Sequence, residues 1–471
     1  MGGGDFQGKR VTVMGLGVLG GGVGTARWFA NQGARVTVTD MRDAAALRES
    51  IVQLDGLPIR FHLGGHNLED FTTAAADIVM RNPGVPMDSP YLVAARESGV
   101  QIEMEMSVFF RACPAPIIGV TGTKGKTTVS ALIGTILRRW RPDALLAGNM
   151  GVPALLELER LTPETPVAIE LSSFQIESLN DHRLAPHVAV FTNISPDHLD
   201  RYRDFEHYAN TKRDMARWMG HGDVVVTNAD DPLTSGIATM TEATVVPFGI
   251  GDGRGDGAWM ARNQLHAEFG KVELTAPRPD HLSLAGDHGA RNALAAMAAT
   301  LAYGVPPEIV LAGLSTFAGV ENRLETVATI GGVTWVNDTS ATAPVAAVAG
   351  VDVLAPRARA LHVIAGGADK RIDLSPFADA LKQAGAIAYL LEGSATPGLL
   401  AMLEERGVMV SGTFGSILAA VEAAAGAAVE GDIVALCPAC ASFGMFRNEF
   451  DRGAKFRAAV MSMTDERGQV S

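Results

Sequence analysis

The chain has 471 residues, room for about three domains at roughly 150 residues each. Its 47% hydrophobic and 19% charged content excludes disorder, and a net charge of −13 excludes a general binder of nucleic acid or anionic membrane. Three cysteines, Cys113, Cys437 and Cys440, are too few for a disulfide framework, and no apolar run reaches the ~18 residues of a membrane span, so a cytoplasmic protein is expected.

The first segment reads as an α/β unit. Val11 to Met14 is a short β run, Gly15-Leu-Gly17-Val-Leu-Gly20 follows at once, and a helical stretch continues through Arg27 to Asn31. A second strand, Arg35 to Thr39, ends at Asp40. This is the spacing of a dinucleotide-binding turn, although Gly21, Gly22 and Gly24 loosen the match and a tight βαβ turn gives the same pattern. Lys9 and Arg10 precede an uncharged stretch, Val11 to Ala26, with the outline of a secretory leader; its glycines make a poor apolar core, and the strand–loop–helix rhythm runs through it. Pro114 and Pro116 mark a boundary, and Ile117 to Val120 starts a second parallel series that continues at Val167 to Glu170, Val188 to Thr192 and Val224 to Thr227. Gly249 to Gly257 reads as a surface loop. The rhythm restarts near Gly319 to Arg323, with strands at Val333 to Val336, Leu361 to Ile364, Ile387 to Leu391 and Ile433 to Cys437 between alanine-rich helices. Three successive α/β blocks agree with the length.

The strongest chemical signal is Gly119-Val-Thr-Gly122-Thr123-Lys124-Gly125-Lys126-Thr127-Thr128, between a β run and a helix. Backbone N–H groups of such a loop cradle a polyphosphate, Lys126 offsets charge on the β/γ oxygens, and the Thr127 hydroxyl can ligate Mg²⁺. The match departs from the standard P-loop in having no glycine five residues before Gly125. Glu170 ends an apolar strand, where a nucleotide metal needs a hard oxygen ligand and where a helix N-terminus would equally favour a carboxylate. Asn193-Ile-Ser-Pro-Asp197-His198-Leu-Asp200-Arg201-Tyr202 packs acid and imidazole after another strand, as a second metal or phosphate site would. Lys212 falls in a helical stretch, Phe205 to Met219, and by sequence alone is an ordinary helix lysine. Cys437-Pro-Ala-Cys440 has CxxC spacing, yet three cysteines cannot form a four-thiolate zinc site, so two small buried thiols are expected.

Together, Thr-Gly-Thr-x-Gly-Lys-Thr-Thr, Glu-Leu-Ser-Ser-Phe-Gln, Asn-Ile-Ser-Pro-Asp-His-Leu-Asp-Arg-Tyr and Pro-Ala-Cys-Ala-Ser-Phe resemble the Mur ligases, in order and over almost the whole chain. The second and fourth motifs resemble the glutamate-adding member. The resemblance implies a three-domain α/β fold: a UDP-binding Rossmann-like domain over 1–113, a central P-loop ATPase with a parallel sheet over 114–320, and a Rossmann-like domain over 321–471 that closes on nucleotide and binds the amino acid. It implies ATP as substrate, two Mg²⁺ ions, and ligation of glutamate to UDP-N-acetylmuramoyl-L-alanine (UDP-MurNAc-L-Ala) by a monomer in the cytoplasm, with no nucleic acid partner. The first glycine turn would then hold UDP, lined by Gly15, Gly17, Leu19, Asp40, Arg42, Asn82, Gly84 and Ser172. Gly122 to Thr128, Asn292, Arg323 and Asp338 would bind ATP. Thr127, Glu170, His198 and a carbamylated Lys212 would hold metal, with Lys126 and Asn149 also in the catalytic set. Thr342, Lys370, Ser442, Arg447 and Phe450 would line the glutamate pocket.

The departures from the family's pattern are Lys124 where asparagine is usual, Gly289 before Asn292, Ser340 where a lysine would meet a glutamate carboxylate, and an extra residue near Phe446 to Gly453. By the resemblance, Ser340 and the longer segment would both line the amino-acid pocket. The resemblance implies D-glutamate as the substrate, and these two departures make L-glutamate the alternative, with Arg447 or Lys370 replacing the missing charge. An NAD-dependent oxidoreductase is a remoter alternative that leaves the P-loop, Glu170 and His198 without purpose.

Overall fold

The computed structural model describes residues 6–17, 20–149, 153–199, 201–251, 253, 255–279, 281 and 284–467, the last four without their side chains. Three sheets follow one another along the chain. The first contains β1 (Arg10–Met14), β2 (Arg35–Asp40), β3 (Ile59–Leu63), β4 (Ile78–Arg81) and β5 (Gln101–Glu103), all parallel in the order β3-β2-β1-β4-β5. The second contains β6 (Ile117–Thr121), β7 (Leu145–Gly148), β8 (Val167–Glu170), β9 (Val188–Phe191), β10 (Val224–Asn228), β11 (Thr244–Ile250), β12 (Gly257–Ala261), β13 (Gln264–Phe269) and β14 (Val272–Pro277). Its order is β14-β13-β12-β11-β10-β9-β6-β8-β7. The third contains β15 (Glu325–Ile330), β16 (Val333–Asn337), β17 (Leu361–Gly366), β18 (Ile387–Leu391), β19 (Met409–Phe414) and β20 (Ile433–Leu436), ordered β15-β16-β20-β17-β18-β19. Helices cross over between the parallel strands, so the strands are buried on both faces and read as continuous apolar runs.

The chain forms two compact units. The first is Met1–Arg278 with Ala290–Phe317, and the second is Pro279–Gly289 with Ala318–Ser471. The first two sheets share a unit because one apolar core runs through both, taking in Val13, Phe29 and Phe109 as well as Leu155, Val167 and Ile176. In the second unit successive strand residues feed opposite faces of the sheet. Val336 and Val363 enter one core with Phe377 and Leu381, while Trp335 and Ile364 enter another with Val421 and Phe456.

Every strand expected from the sequence is present, and several others were not expected. The glycine-rich loop is shorter than Gly249 to Gly257, because β11 reaches Ile250 and β12 begins at Gly257. The antiparallel run β12-β13-β14 follows, turning first at Arg262 and Asn263, both at positive φ. An Arg-Asn pair is a weak hairpin signal in sequence, although the turn needs positive φ at both positions. The helical stretch after Phe205 is α-helical only to Arg213 and tightens to a 3₁₀ turn over Asp214–Trp218. No helix among the described residues is long and apolar enough to cross a membrane.

Candidate active site

In open parallel sheets, ligands bind beyond the carboxyl ends of strands where the strand order reverses. β6 lies at such a point between β8 and β9, and its end opens into the P-loop. Gly125 stands at φ 86° as N-cap of the helix Lys126–Trp140, so the loop ends on a helix N-terminus, where an anion is favoured. The Asn193 segment is stitched to this loop. Asn193 Oδ1 accepts from Lys124 N at 3.0 Å, its Nδ2 donates to Lys124 O at 2.9 Å, and Thr123 Oγ1 accepts from Ser195 N at 3.0 Å. Lys126 Nζ donates to Gly122 O and Thr123 O, each at 3.0 Å. Asn292 lies against the loop, since a Cβ on Gly125 would stand 2.5 Å from its Oδ1.

Glu170 ends β8 beside the loop and is 1% exposed. Asn149 holds it by two bonds, N to Glu170 O at 3.0 Å and Nδ2 to Glu170 Oε1 at 3.1 Å. Glu170 Oε2 is buried and has no hydrogen-bond partner among the described residues. A buried carboxylate oxygen left without a donor is costly, and a hard cation is what would satisfy it.

Lys212 is not the ordinary helix lysine that its sequence setting gives. It is 1% exposed, its Nζ lies 3.4 Å from Thr121 Oγ1 and 5.1 Å from the centre of the Tyr208 ring, and burial, then Lys126, holds its pKa well below the usual lysine value. Asp197 and Glu170 pull in the other direction. Tyr208, four residues earlier on the same helix face, bonds Thr123 Oγ1 at 3.0 Å, and burial pushes its phenol up to about 12. His198 is exposed at φ 52°, a conformation unusual for a non-glycine residue, with its ring 5.1 Å from Phe174 and 6.2 Å from Tyr208. Asp197 Oδ2 lies 3.7 Å from Lys124 Nζ. The structure thus gathers Lys126, Glu170, Asn149, Lys212 and Asp197 around the P-loop mouth. Among the described residues no group of three His, Cys, Asp or Glu side chains forms a metal site by itself.

At the switch point of the first sheet, Gly15 follows β1 and Asn82 follows β4, and a Cβ on Gly15 would stand 3.1 Å from Asn82 Cβ. Asp40 does not present a free carboxylate: Oδ2 accepts from Gly17 N at 3.0 Å and Oδ1 from Arg42 N at 2.9 Å. Its role in this structure is to close the turn, whereas a nicotinamide ribose would need the acid free. Arg42 is exposed. Gly84 O accepts from Arg201 Nη1 at 2.8 Å, which ties the first sheet's Asn82-Pro83-Gly84 wall to the His198 segment. Ser172 caps the helix Ser173–Asp181 through a reciprocal pair with Gln175. Leu19 and Asp200 lie outside the described residues.

In the second unit, the segments after β16, β17 and β20 carry the remaining candidates. Asp338 is buried, accepts from Leu324 N at 3.1 Å, and is pushed by burial up to about 7. Arg323 is exposed. Lys370 Nζ donates to Thr342 Oγ1 at 2.9 Å, Ser442 is buried, and Phe450 is exposed. Arg447 is exposed and pairs at 3.2 Å with Asp451, a carboxylate it shares with Lys455 at 3.1 Å. Cys437 and Cys440 are free and buried, and burial raises both thiols, Cys440 to about 11; these are small buried thiols.

Sequence reasoning missed Arg452. It is 0% exposed and donates to Thr339 Oγ1 and O at 3.0 Å and to Cys440 O at 3.2 Å, and no carboxylate of the described residues forms an ion pair with it. The nearest sequence signal was Arg-Gly within an otherwise amphipathic C-terminal helix. Tyr208 was also missed, although its spacing of four from Lys212 was visible.

Three family descriptions match the chain: "MurD-like, N-terminal domain" over residues 9–103, "Mur ligase middle domain" over 120–300, and "Mur ligase, glutamate ligase domain" over 322–440. The UDP-N-acetylmuramoylalanine–D-glutamate ligase of Roseiflexus sp. (strain RS-1) is 45% identical over 98% of this chain and 100% of its own length. The ligase of the same name from Geobacter metallireducens is 36% identical over 98% and 100%. Among solved structures, the UDP-N-acetylmuramate–alanine ligase of Thermotoga maritima superposes with a TM-score of 0.61 at 21% identity, covering 97% of this chain and 100% of that one.

Proposed function

The chain belongs to the Mur ligase family, and from that premise we propose the reaction it runs: ATP-dependent addition of D-glutamate to UDP-MurNAc-L-Ala in peptidoglycan precursor synthesis. The observation that carries this reading is full-length identity of 45% to a D-glutamate ligase, joined to an intact P-loop with Lys126 and Glu170 beside it.

The γ-phosphoryl group of ATP passes to the alanine carboxylate, giving ADP and an acyl phosphate. The glutamate amine then attacks the acyl carbon, the C–N bond forms, a proton is lost from nitrogen, and phosphate leaves. Lys126, now folded onto the Gly122 and Thr123 carbonyls, is placed to turn its ammonium toward the β/γ oxygens. The helix N-terminus at Lys126 adds fixed positive potential there. Asn149 orients Glu170 from one side and leaves its second oxygen open.

That open oxygen fits a hard divalent cation. Thr127, Glu170 and His198 would hold two Mg²⁺ ions, which would neutralise charge on the transferring phosphoryl group. Lys212 fits this set only after carbamylation, which converts the cation to a carboxylate-like ligand. Its depressed pKa supports the reading, because only the neutral amine reacts with CO₂. Asp338, Arg323 and Asn292 are assigned to ATP. Gly15, Gly17, Leu19, Asp40, Arg42, Asn82, Gly84 and Ser172 are assigned to the UDP substrate, with Asp40 acting through the turn it closes. Thr342, Lys370, Ser442 and Phe450 are assigned to glutamate; Arg447, already paired with Asp451, is the weakest member of that group. The corresponding domains are 1–113, 114–320 and 321–471, and the enzyme acts as a monomer in the cytoplasm.

L-glutamate is the second reading, and one observation favours it. Position 340 is serine, and cations touch the segment Thr339–Thr342 at its two ends, Arg452 on Thr339 and Lys370 on Thr342. A rearranged charge pair can hold either enantiomer, since their separation needs only a few kcal/mol of differential contact. Phosphate release is to be measured with ATP, Mg²⁺ and UDP-MurNAc-L-Ala, adding each pure enantiomer in turn. Release with D-glutamate alone supports the first reading, release with L-glutamate alone replaces it by the second, and release with neither refutes both.

A further inference from the structure

The helix Gly21–Asn31 begins with three glycines, Gly21, Gly22 and Gly24, although each costs roughly 0.5–1 kcal/mol relative to alanine inside a helix. Gly22 is accounted for by the turn it follows, where a Cβ would stand 2.4 Å from the Gly15 and Leu16 carbonyl oxygens. Gly24 faces elsewhere. A Cβ there would stand 2.5 Å from Pro153 Cβ, 3.0 Å from Pro153 Cγ and 3.6 Å from Leu156 Cδ1. Pro153 is the N-cap of the one-turn helix Ala154–Glu157, between β7 and β8 of the second sheet. A second contact reaches the same turn: Glu105, opening the helix Glu105–Ala112, accepts from Leu155 N through Oε1 at 3.4 Å. Pro153 to Leu156 is therefore gripped by two helices that follow strands of the first sheet.

Four residues before Pro153 stands Asn149, and it is fixed at the other end. Its N and Nδ2 both donate to Glu170, and Gly148 lies so close that a Cβ on it would stand 2.3 Å from Glu170 O. Asn149 thus touches the carboxylate beside the P-loop, and Pro153, four residues later in the sequence, touches the helix that follows the first glycine turn. We propose that Gly24 and Glu105 are positioning residues that hold the turn Pro153 to Leu156, so that a substrate seated on the first glycine turn presents its reacting carboxylate in register with Asn149 and Glu170. The inference rests on the ligase reading and on the placement of the UDP substrate at that turn. Its physical basis is orientation: a misplacement of about 1 Å far from the reacting atoms can cost up to ~100-fold in rate.

The test uses the full-length enzyme and the exchange pair Gly24→Ala and Pro153→Gly. Gly24→Ala is expected to lower kcat/KM for UDP-MurNAc-L-Ala between roughly tenfold and a hundredfold, with KM for ATP unchanged. It should also speed amide exchange in the peptide spanning 149–157. Adding Pro153→Gly removes the opposing Cβ and should recover most of the loss. Glu105→Gln, which keeps an acceptor, should stay near wild type while Glu105→Leu falls with Gly24→Ala; this pair decides the matter if Gly24→Ala does not fold. A variant that loses thermal stability but keeps wild-type kcat/KM, or a double variant with no recovery, overturns the proposal. Failure of the wild-type enzyme to ligate would refute the ligase reading instead, and the exchange data would then still report whether the grip exists.

Discussion

Glu170, Lys212 and Asp338 are each buried with an ionisable group that solvent would otherwise serve, and each carries a separate expectation. Glu170→Gln replaces a hard anionic oxygen by an amide, so ligation should require several-fold more Mg²⁺; an unchanged Mg²⁺ titration removes Glu170 as a ligand. If Lys212 is carbamylated, growth or incubation with ¹³C-bicarbonate should give a carbamate carbonyl signal that Lys212→Met lacks. Lys212→Met should also match or exceed wild-type thermal stability, because an apolar chain replaces a buried polar head group, yet lose ligation. Asp338 has its pKa raised from 3.8 to about 7. Its unfolded state releases the proton first, so its penalty on folding is absent below about pH 4, grows as pH rises toward 7 and is constant above. Asp338→Asn should therefore stabilise the second unit at neutral pH by on the order of a few kcal/mol and not at pH 4, measured by urea unfolding, while weakening ATP use.

The elements of the first unit are fastened by polar contacts as well as by their shared core. Arg81, at the end of β4, is buried and pairs with Glu177 of the helix Ser173–Asp181 at 2.8 Å, while also donating to Val85 O at 3.0 Å. His182 and Arg111 both reach the buried Glu103 of β5, the imidazole at 3.1 Å. Removing one partner of a buried pair strands the other, at about 3–5 kcal/mol when both are fully buried. Glu177 keeps partial access to water, so Arg81→Met should cost the first unit about 2–3 kcal/mol by urea unfolding, and Glu177→Gln less. Equal effects of the two variants would show that the ion pair, and not the guanidinium's bonds to backbone carbonyls, holds the elements. The antiparallel strands β12 to β14 extend the second sheet away from the P-loop side, and no candidate site residue lies on them.

Two units with separate cores should unfold separately. Every residue assigned to the UDP substrate lies in the first unit. UDP-MurNAc-L-Ala should therefore raise only that unit's calorimetric transition, by about 2.7 kcal/mol at a hundredfold excess over Kd. A shift confined to the other transition would move the UDP site off the first glycine turn.

The sequence alone carried the three α/β series, the P-loop, Glu170 and the order of the motifs, because short apolar runs and glycine signals are local and survive without knowledge of what packs against them. It also carried the identity of the thiols as buried, from their strand-end setting and small number. Only the tertiary structure showed that Lys212 is buried against Tyr208 and Thr121, that Asp40 spends its carboxylate on Gly17 and Arg42, that Arg447 and Lys455 share Asp451, and that Arg452 sits inside the second unit. Charge at a position says nothing of its dielectric surroundings, which depend on residues as distant in sequence as Arg452 is from Thr339. Gly24 is the same case in steric form: the chain displays a glycine, and only the fold supplies the proline that requires it.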